Sequence, residues 1–242
     1  MANGETVRLA VLIDADNATS GVIKELLEEV TKFGTPTVKR AYGDWTTQNL
    51  IGWNDRLHRH AVQPIQQFAY TKGKNATDSA LIIDAMDLLY AGNVDGFCIV
   101  ASDSDYTRLA TRLREAGKLV LGMGERKTPE AFIAACDRFI FVEVLKPTEA
   151  DQSPQVEGVT ELKGLLTHAV QETLRDGEWA SLAAIGSYIG KNNASFDPRN
   201  YGFKKLGELV RKQPYLEVKE TQEASGLLFL QVRLRSSLGV ER

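Results

Sequence analysis

The chain has 242 residues, 43% hydrophobic and 25% charged, with a formal net charge of −3 at pH 7. Those are ordinary globular values for one large domain or two small ones, and the acidic balance argues against a nucleic-acid coat protein. The longest apolar runs, such as LAVLI at residues 9–13, are far too short to cross a bilayer, which takes about 20 residues.

The start, MANGETVRLAVLIDADN, shows no basic stretch followed by a cleavage site, so no secretory signal is expected. The two cysteines, Cys98 and Cys136, sit in apolar or helical patterns and read as small buried hydrophobes in a reducing compartment. A cytoplasmic protein with no membrane association is the expectation. Charge is unevenly spread: residues 1–158 carry 17 Lys+Arg against 22 Asp+Glu, residues 159–235 carry 11 against 9. That asymmetry suggests different roles for the two parts.

In chain order, strands are expected at 7–13, 37–42, 61–66, 96–100, 118–122 and 138–143. Helix-length amphipathic stretches fall between them at 20–33, 45–59, 76–91, 104–116 and 129–136. Strands alternating with helices imply a parallel sheet covered on both faces. Pro64 marks the third strand as an edge or irregular one. Residues 146–158, KPTEADQSPQVEG, have two prolines and no periodicity and read as a linker. Beyond it, helices near 159–175, 181–190 and 199–212 precede two strands, 215–220 and 226–234, which suggests a small winged-helix-like α+β unit. The expected division is therefore 1–145, linker 146–158, 159–235 and a tail at 236–242.

The chemistry concentrates at strand ends. In an open parallel sheet, ligands bind beyond the carboxyl ends of the strands, where strand order reverses. The first strand ends in IDADNA, with Asp14, Asp16 and Asn17; the fourth ends in ASDSDY, with Ser102, Asp103 and Asp105. In a 3-2-1-4-5 order these two tips are neighbours, and Asp78 opens the helix at 76–91 nearby. Singly, each acid reads as a helix cap or a dipole partner: Asp103 for 104–116, Asn75 with Asp78 for 76–91. Jointly they are too many for capping, and clustered carboxylates repel unless a cation compensates them. Oxygen-rich sites of this kind suit Mg²⁺ or Mn²⁺.

VLIDADN, KGKNATDSALIIDAMDLLY, CIVASDSDYTRLATRLREAGKLVLGMG and FIAACDRFIFVE together resemble the NYN domain, a branch of the PIN-like nucleases. The resemblance spans roughly residues 6–145 and implies a PIN-like α/β fold, with a parallel sheet flanked by helices. It implies a ribonuclease in which Asp14, Asp78, Asp103 and Asp105 form a catalytic quartet holding Mg²⁺ or Mn²⁺. Asn17 matches the polar companion of the first acid, and Asp16 and Ser102 are accessory. The longer KGKNATD spacing makes Asp78 the loosest of these matches. Asp84 is either an outer partner of the site or a solvated or capping residue.

Residues 158–235, with FDPRNYGFKKLGELV as the most telling segment, resemble an OST-HTH, or LOTUS, domain. That resemblance implies binding to single-stranded or structured RNA, and protein contacts. Lys191, Arg199, Lys204 and Lys205 are the candidate phosphate contacts there, while Tyr201, Phe203 and Trp179 are expected to pack inward. In the first part, Lys72, Lys74, Arg108, Arg112 and Arg40 are candidate RNA contacts, with Tyr42 and Trp45 as candidate base-stacking rings. His58 and His60 read as exposed. Two other readings stand beside the ribonuclease: a non-catalytic RNA-binding adaptor, and a haloacid-dehalogenase-like phosphatase suggested by DADN. A protein partner through the second part, and self-association, stay open.

Overall fold

The computed structural model describes residues 6–68, 76–145, 157–174, 178–222 and 228–235. The chain divides into two compact units, Met1–Pro147 and Thr148–Arg242. Among the described residues no helix is long and apolar enough to cross a membrane.

In the first unit six strands form one sheet: β1 (Arg8–Asp14), β2 (Thr35–Gly43), β3 (Gln63–Gln66), β4 (Gly96–Val100), β5 (Leu119–Gly124) and β6 (Arg138–Phe141). Their order is β3-β2-β1-β4-β5-β6, and every neighbouring pair is parallel. The helices are α1 (Ile23–Val30), α2 (Asn54–His60), α3 (Ala76–Ala91), α4 (Thr107–Glu115) and α5 (Glu130–Ala135). Continuous apolar strands are what this layout requires, because helices bury both faces of the sheet. Along β1, Leu9, Val11 and Ile13 pack with Leu26, Leu27 and Val30 of α1 and Leu57 of α2. Ala10 and Leu12 face the other way, onto Leu81, Ala85 and Leu88 of α3 and Leu109 and Leu113 of α4. Phe132 of α5 joins that second core and meets Phe139 edge-on. Cys98 and Cys136 are buried and unpaired, and burial pushes the Cys136 thiol up to about 12.

From β1 the chain winds outward through β2 and β3, then crosses back to β4. The tips of β1 and β4 therefore flank the reversal of strand order. Three expected helices start as tight 3-10 turns: Ser20–Val22 before α1, Gln48–Trp53 before α2, and Ser104–Tyr106 before α4. The helix α2 stops where Ala61 adopts a left-handed conformation, φ 50°. The edge strand β3 is short and mostly exposed, and it contains Pro64.

The second unit contains α6 (Glu157–Thr173), β7 (Ala180–Ser181), α7 (Leu182–Asn192), α8 (Leu206–Arg211), β8 (Leu216–Gln222) and β9 (Leu228–Leu234). The strands form an antiparallel sheet in the order β7-β9-β8. Leu162, Leu166, Ile185, Ile189, Leu209 and Val232 form its core, with Tyr201 and Phe203 packed against them. The helix expected at 199–212 is two pieces, because Gly202 takes φ 81° between a Pro198–Tyr201 turn and α8. Trp179 is not in the core: it is half-buried, with the Arg233 guanidinium 4.4 Å from its ring centroid. A half-wet ring stacked on a cation keeps part of its surface in solvent, which its apolar neighbours in sequence do not reveal.

Candidate active site

Asp14 is the last residue of β1 and is fully buried. Asn17 Nδ2 donates to its Oδ2 at 2.9 Å, while Oδ1 makes no hydrogen bond among the described residues. Burial, against the relief from Asn17, pushes the carboxyl up to about 6, and the charges of Asp78 and Asp16 add to that. Asp78 lies in the first turn of α3 and is nearly buried. The Tyr106 hydroxyl donates to its Oδ1 at 2.6 Å. Burial raises the Asp78 carboxyl, Tyr106 opposes the rise, and Asp103, Asp105 and Asp16 push it further up.

The two strand tips and the start of α3 thus place Asp14, Asp16, Asp78, Asp103 and Asp105 in one electrostatic field. Asp103 is half-buried and caps the turn after β4, accepting from Asp105 N at 3.0 Å. Asp105 is exposed, and Asp16 Oδ2 accepts from Thr77 Oγ1 at 2.7 Å. Ser102 acts structurally, its Oγ accepting from Glu125 N at 2.9 Å and so joining the ends of β4 and β5. Between that tip and α1, Asn17, Ser102, Trp53 and Met123 line a cavity of about 20 Å³, room for about one water.

A hard divalent cation fits the donor chemistry, on the orphaned buried Oδ1 of Asp14 and the excess of carboxylate around it. The side chains stand apart: among the described residues, no group of three or more His, Cys, Asp or Glu is gathered closely enough to hold a metal ion. Tyr106 escaped the sequence reading. It is fully buried, and its hydroxyl is held protonated far above the usual range by burial first and by Asp14 next. Its only signal in sequence is an aromatic beside SDSD.

Several expected RNA contacts are placed otherwise. Tyr42 is fully buried in the core under α3 and donates its hydroxyl to Asp84, so it cannot stack a base. Arg40 is held by the same Asp84 carboxylate rather than offered to a phosphate. Trp45 is half-buried, packs on the core and donates Nε1 to Ile65 O at 2.9 Å. Arg108 is 81% exposed with Glu115 at 3.7 Å, and Arg112 is half-buried on the same helix. Lys72, Lys74 and Asn75 lie outside the described residues. In the second unit Lys191, Lys204 and Lys205 are exposed, while Arg199 is clamped by Asp197 at 2.6 Å. His58 is exposed and His60 half-buried on α2.

An open six-stranded parallel sheet covered by helices, with acids at its switch point, places the first unit in the α/β class. The chain belongs to the NYN domain family, whose model matches residues 8–144, and an OST-HTH/LOTUS domain follows at 159–228. NYN domains are PIN-like nucleases and OST-HTH/LOTUS domains bind RNA, so the phosphatase reading falls away. Among solved structures, a Vibrio parahaemolyticus protein of unknown function is 18% identical, covering 58% of this chain and 96% of its own, with a TM-score of 0.49. Residues 175–257 of a Chromobacterium violaceum protein are 42% identical, covering 34% of this chain and 86% of that one, with a TM-score of 0.28. An uncharacterised Nitrosomonas europaea protein is 28% identical over 40% of this chain and 93% of its own, with a TM-score of 0.33. No curated protein matches the chain.

Proposed function

We propose that the protein is a Mg²⁺- or Mn²⁺-dependent ribonuclease whose second unit recruits the RNA. One observation carries this reading: a fully buried Asp14 with an unbonded Oδ1, repelled by neighbouring carboxylates at the switch point of a nuclease-family sheet. A buried anion left in that state destabilises the fold unless a counter-charge arrives. Asp14, Asp78, Asp103 and Asp105 would hold the cation. When bound, it supplies positive charge against the scissile phosphate and acidifies water in its coordination sphere. The chain's own groups orient the ligands. Asn17 fixes Asp14 through Oδ2 and leaves Oδ1 without a hydrogen bond among the described residues. Tyr106 fixes Asp78 through Oδ1. Hydrolysis forms one P–O bond from water and breaks the P–O bond to the leaving oxygen, which takes up a proton.

Lys204, Lys205 and Lys191 of the second unit, and Arg108 and Arg112 on α4, are the proposed backbone contacts, each exposed or half-exposed. The cap formed by Asp103 favours a second reading, an RNA-binding adaptor in which the rim is structural. Labelled single-stranded and structured RNA, incubated with Mn²⁺ or Mg²⁺ and with EDTA, separates the two. Cleavage that needs both the metal and Asp103, tested as Asp103→Asn, is expected. RNA binding without cleavage, unchanged in that variant, would leave the adaptor.

A further inference from the structure

The helix α3 carries apolar side chains around its whole circumference. Leu81, Ala85, Leu88 and Leu89 are buried, yet Ile83 is 63% and Tyr90 74% exposed on the opposite side. An apolar pattern of that kind drives the helix onto the sheet without selecting its rotation, because a turn of one residue, about 100°, still offers apolar surface to the core. Polar ties select it instead. The Thr77 hydroxyl bonds Asp16 beyond the tip of β1, and Asp78 accepts from Tyr106 beyond the tip of β4. Asp84, about 9 Å farther along the axis, accepts from both the Tyr42 hydroxyl and the Arg40 guanidinium on β2.

The third tie differs from the others. Tyr42 pairs in register with Asp14 across β1 and β2. The links Asp14–Tyr42, Tyr42–Asp84, Asp84 to Asp78 along the helix, and Asp78–Tyr106 therefore form one chain from the first acid to the tip of β4. Asp84 has its own cation in Arg40. The Arg40 side chain is only 26% exposed and that of Asp84 24%, so neither is a solvated surface charge. Half-buried polar pairs of this sort are best attested as devices that fix register.

We propose that Asp84, with Tyr42 and Arg40, is a positioning residue that sets the rotation of α3 and so presents Asp78 to the metal-binding rim; this rests on the metal-site reading above. The test is calorimetric titration of Mn²⁺ into the metal-free full chain, beside thermal melts and steady-state RNA cleavage. Asp84→Asn weakens Mn²⁺ binding roughly 10- to 100-fold, as loss of an outer support does at other metal sites. It lowers kcat at fixed Mn²⁺, excess Mn²⁺ recovers part of that loss, and KM for RNA stays the same. Tyr42→Phe changes no charge, so a weaker Mn²⁺ isotherm there excludes a simple field effect; it also carries the test if Asp84→Asn does not fold. Asp78→Asn combined with Asp84→Asn binds Mn²⁺ no more weakly than Asp78→Asn alone, because both act on one ligand. Leu88→Ala, a cavity on the same helix, lowers the melting temperature and leaves Mn²⁺ affinity intact. If Asp84→Asn and Tyr42→Phe behave like Leu88→Ala, the positioning role is overturned while the metal site stands. If the unmodified chain takes up no Mn²⁺, the metal reading fails and this inference with it.

Discussion

Asp14→Asn should make the metal-free protein more stable while silencing it. The Asp14 carboxyl titrates at about 6 in the folded chain against an ordinary value of 3.8. Below pH 3.8 both states are protonated and the site costs nothing. Between pH 3.8 and about 6 the folded state holds a proton that the unfolded state has lost, so stability falls as pH rises. Above about pH 6 the full difference applies, and at 1.36 kcal/mol per unit it is about 3 kcal/mol. For a unit of this size, about 2–4 °C per kcal/mol gives a melting temperature roughly 6–12 °C higher for Asp14→Asn at pH 8. That is an upper value, because Asn leaves a buried amide that still needs partners. Scanning calorimetry of the full chain in EDTA at pH 8 and pH 4 reads the effect. The variant should gain at pH 8, show little difference at pH 4, and lose the stabilisation that Mn²⁺ gives the unmodified protein. A variant that melts lower than the unmodified chain at pH 8 without metal would refute the reasoning, since Asp14 would then be a satisfied structural acceptor.

Asp103→Asn and Asp103→Ala separate the cap from the chemistry: Asn caps about as well as Asp, whereas Ala loses roughly 1 kcal/mol in denaturant melts. Both should abolish cleavage and neither should weaken RNA binding by the second unit. Lys204→Glu with Lys205→Glu should lower RNA affinity in filter binding and flatten its salt dependence, with metal binding unchanged. At Gly122 an added Cβ would lie 2.4 Å from Phe139 Cδ2 and 2.7 Å from Cys136 Sγ. Gly122→Ala should therefore cost about 1–3 kcal/mol of overpacking, read as a lower denaturant midpoint.

The sheet was legible because its strands are buried on both sides and read as unbroken apolar runs, GFCIV being the clearest. The meeting of the IDADN and ASDSD tips was legible because strand order alone makes β1 and β4 neighbours. What sequence hid is the facing of residues at the rim. Tyr42 follows the strand alternation inward beneath α3, and no local pattern distinguishes that from an exposed stacking ring. Arg40 finds its partner 44 residues away, a pairing set by how a helix lands on a sheet rather than by spacing. Trp179 misled for the opposite reason: apolar bulk suggested burial, while Arg233, 54 positions downstream, covers the ring at the surface. The tight turns before α1, α2 and α4 merge with helical periodicity and shift boundaries without altering which residues reach the rim.

The edge strand β3 has a consequence for association. It is four residues long, QPIQ, three of them exposed, and Pro64 withholds one backbone donor from any chain that would pair beside it. A strand so short, polar and donor-poor makes a bad template for a seventh strand. Extension of the backbone ladder by a second molecule is therefore disfavoured on that side.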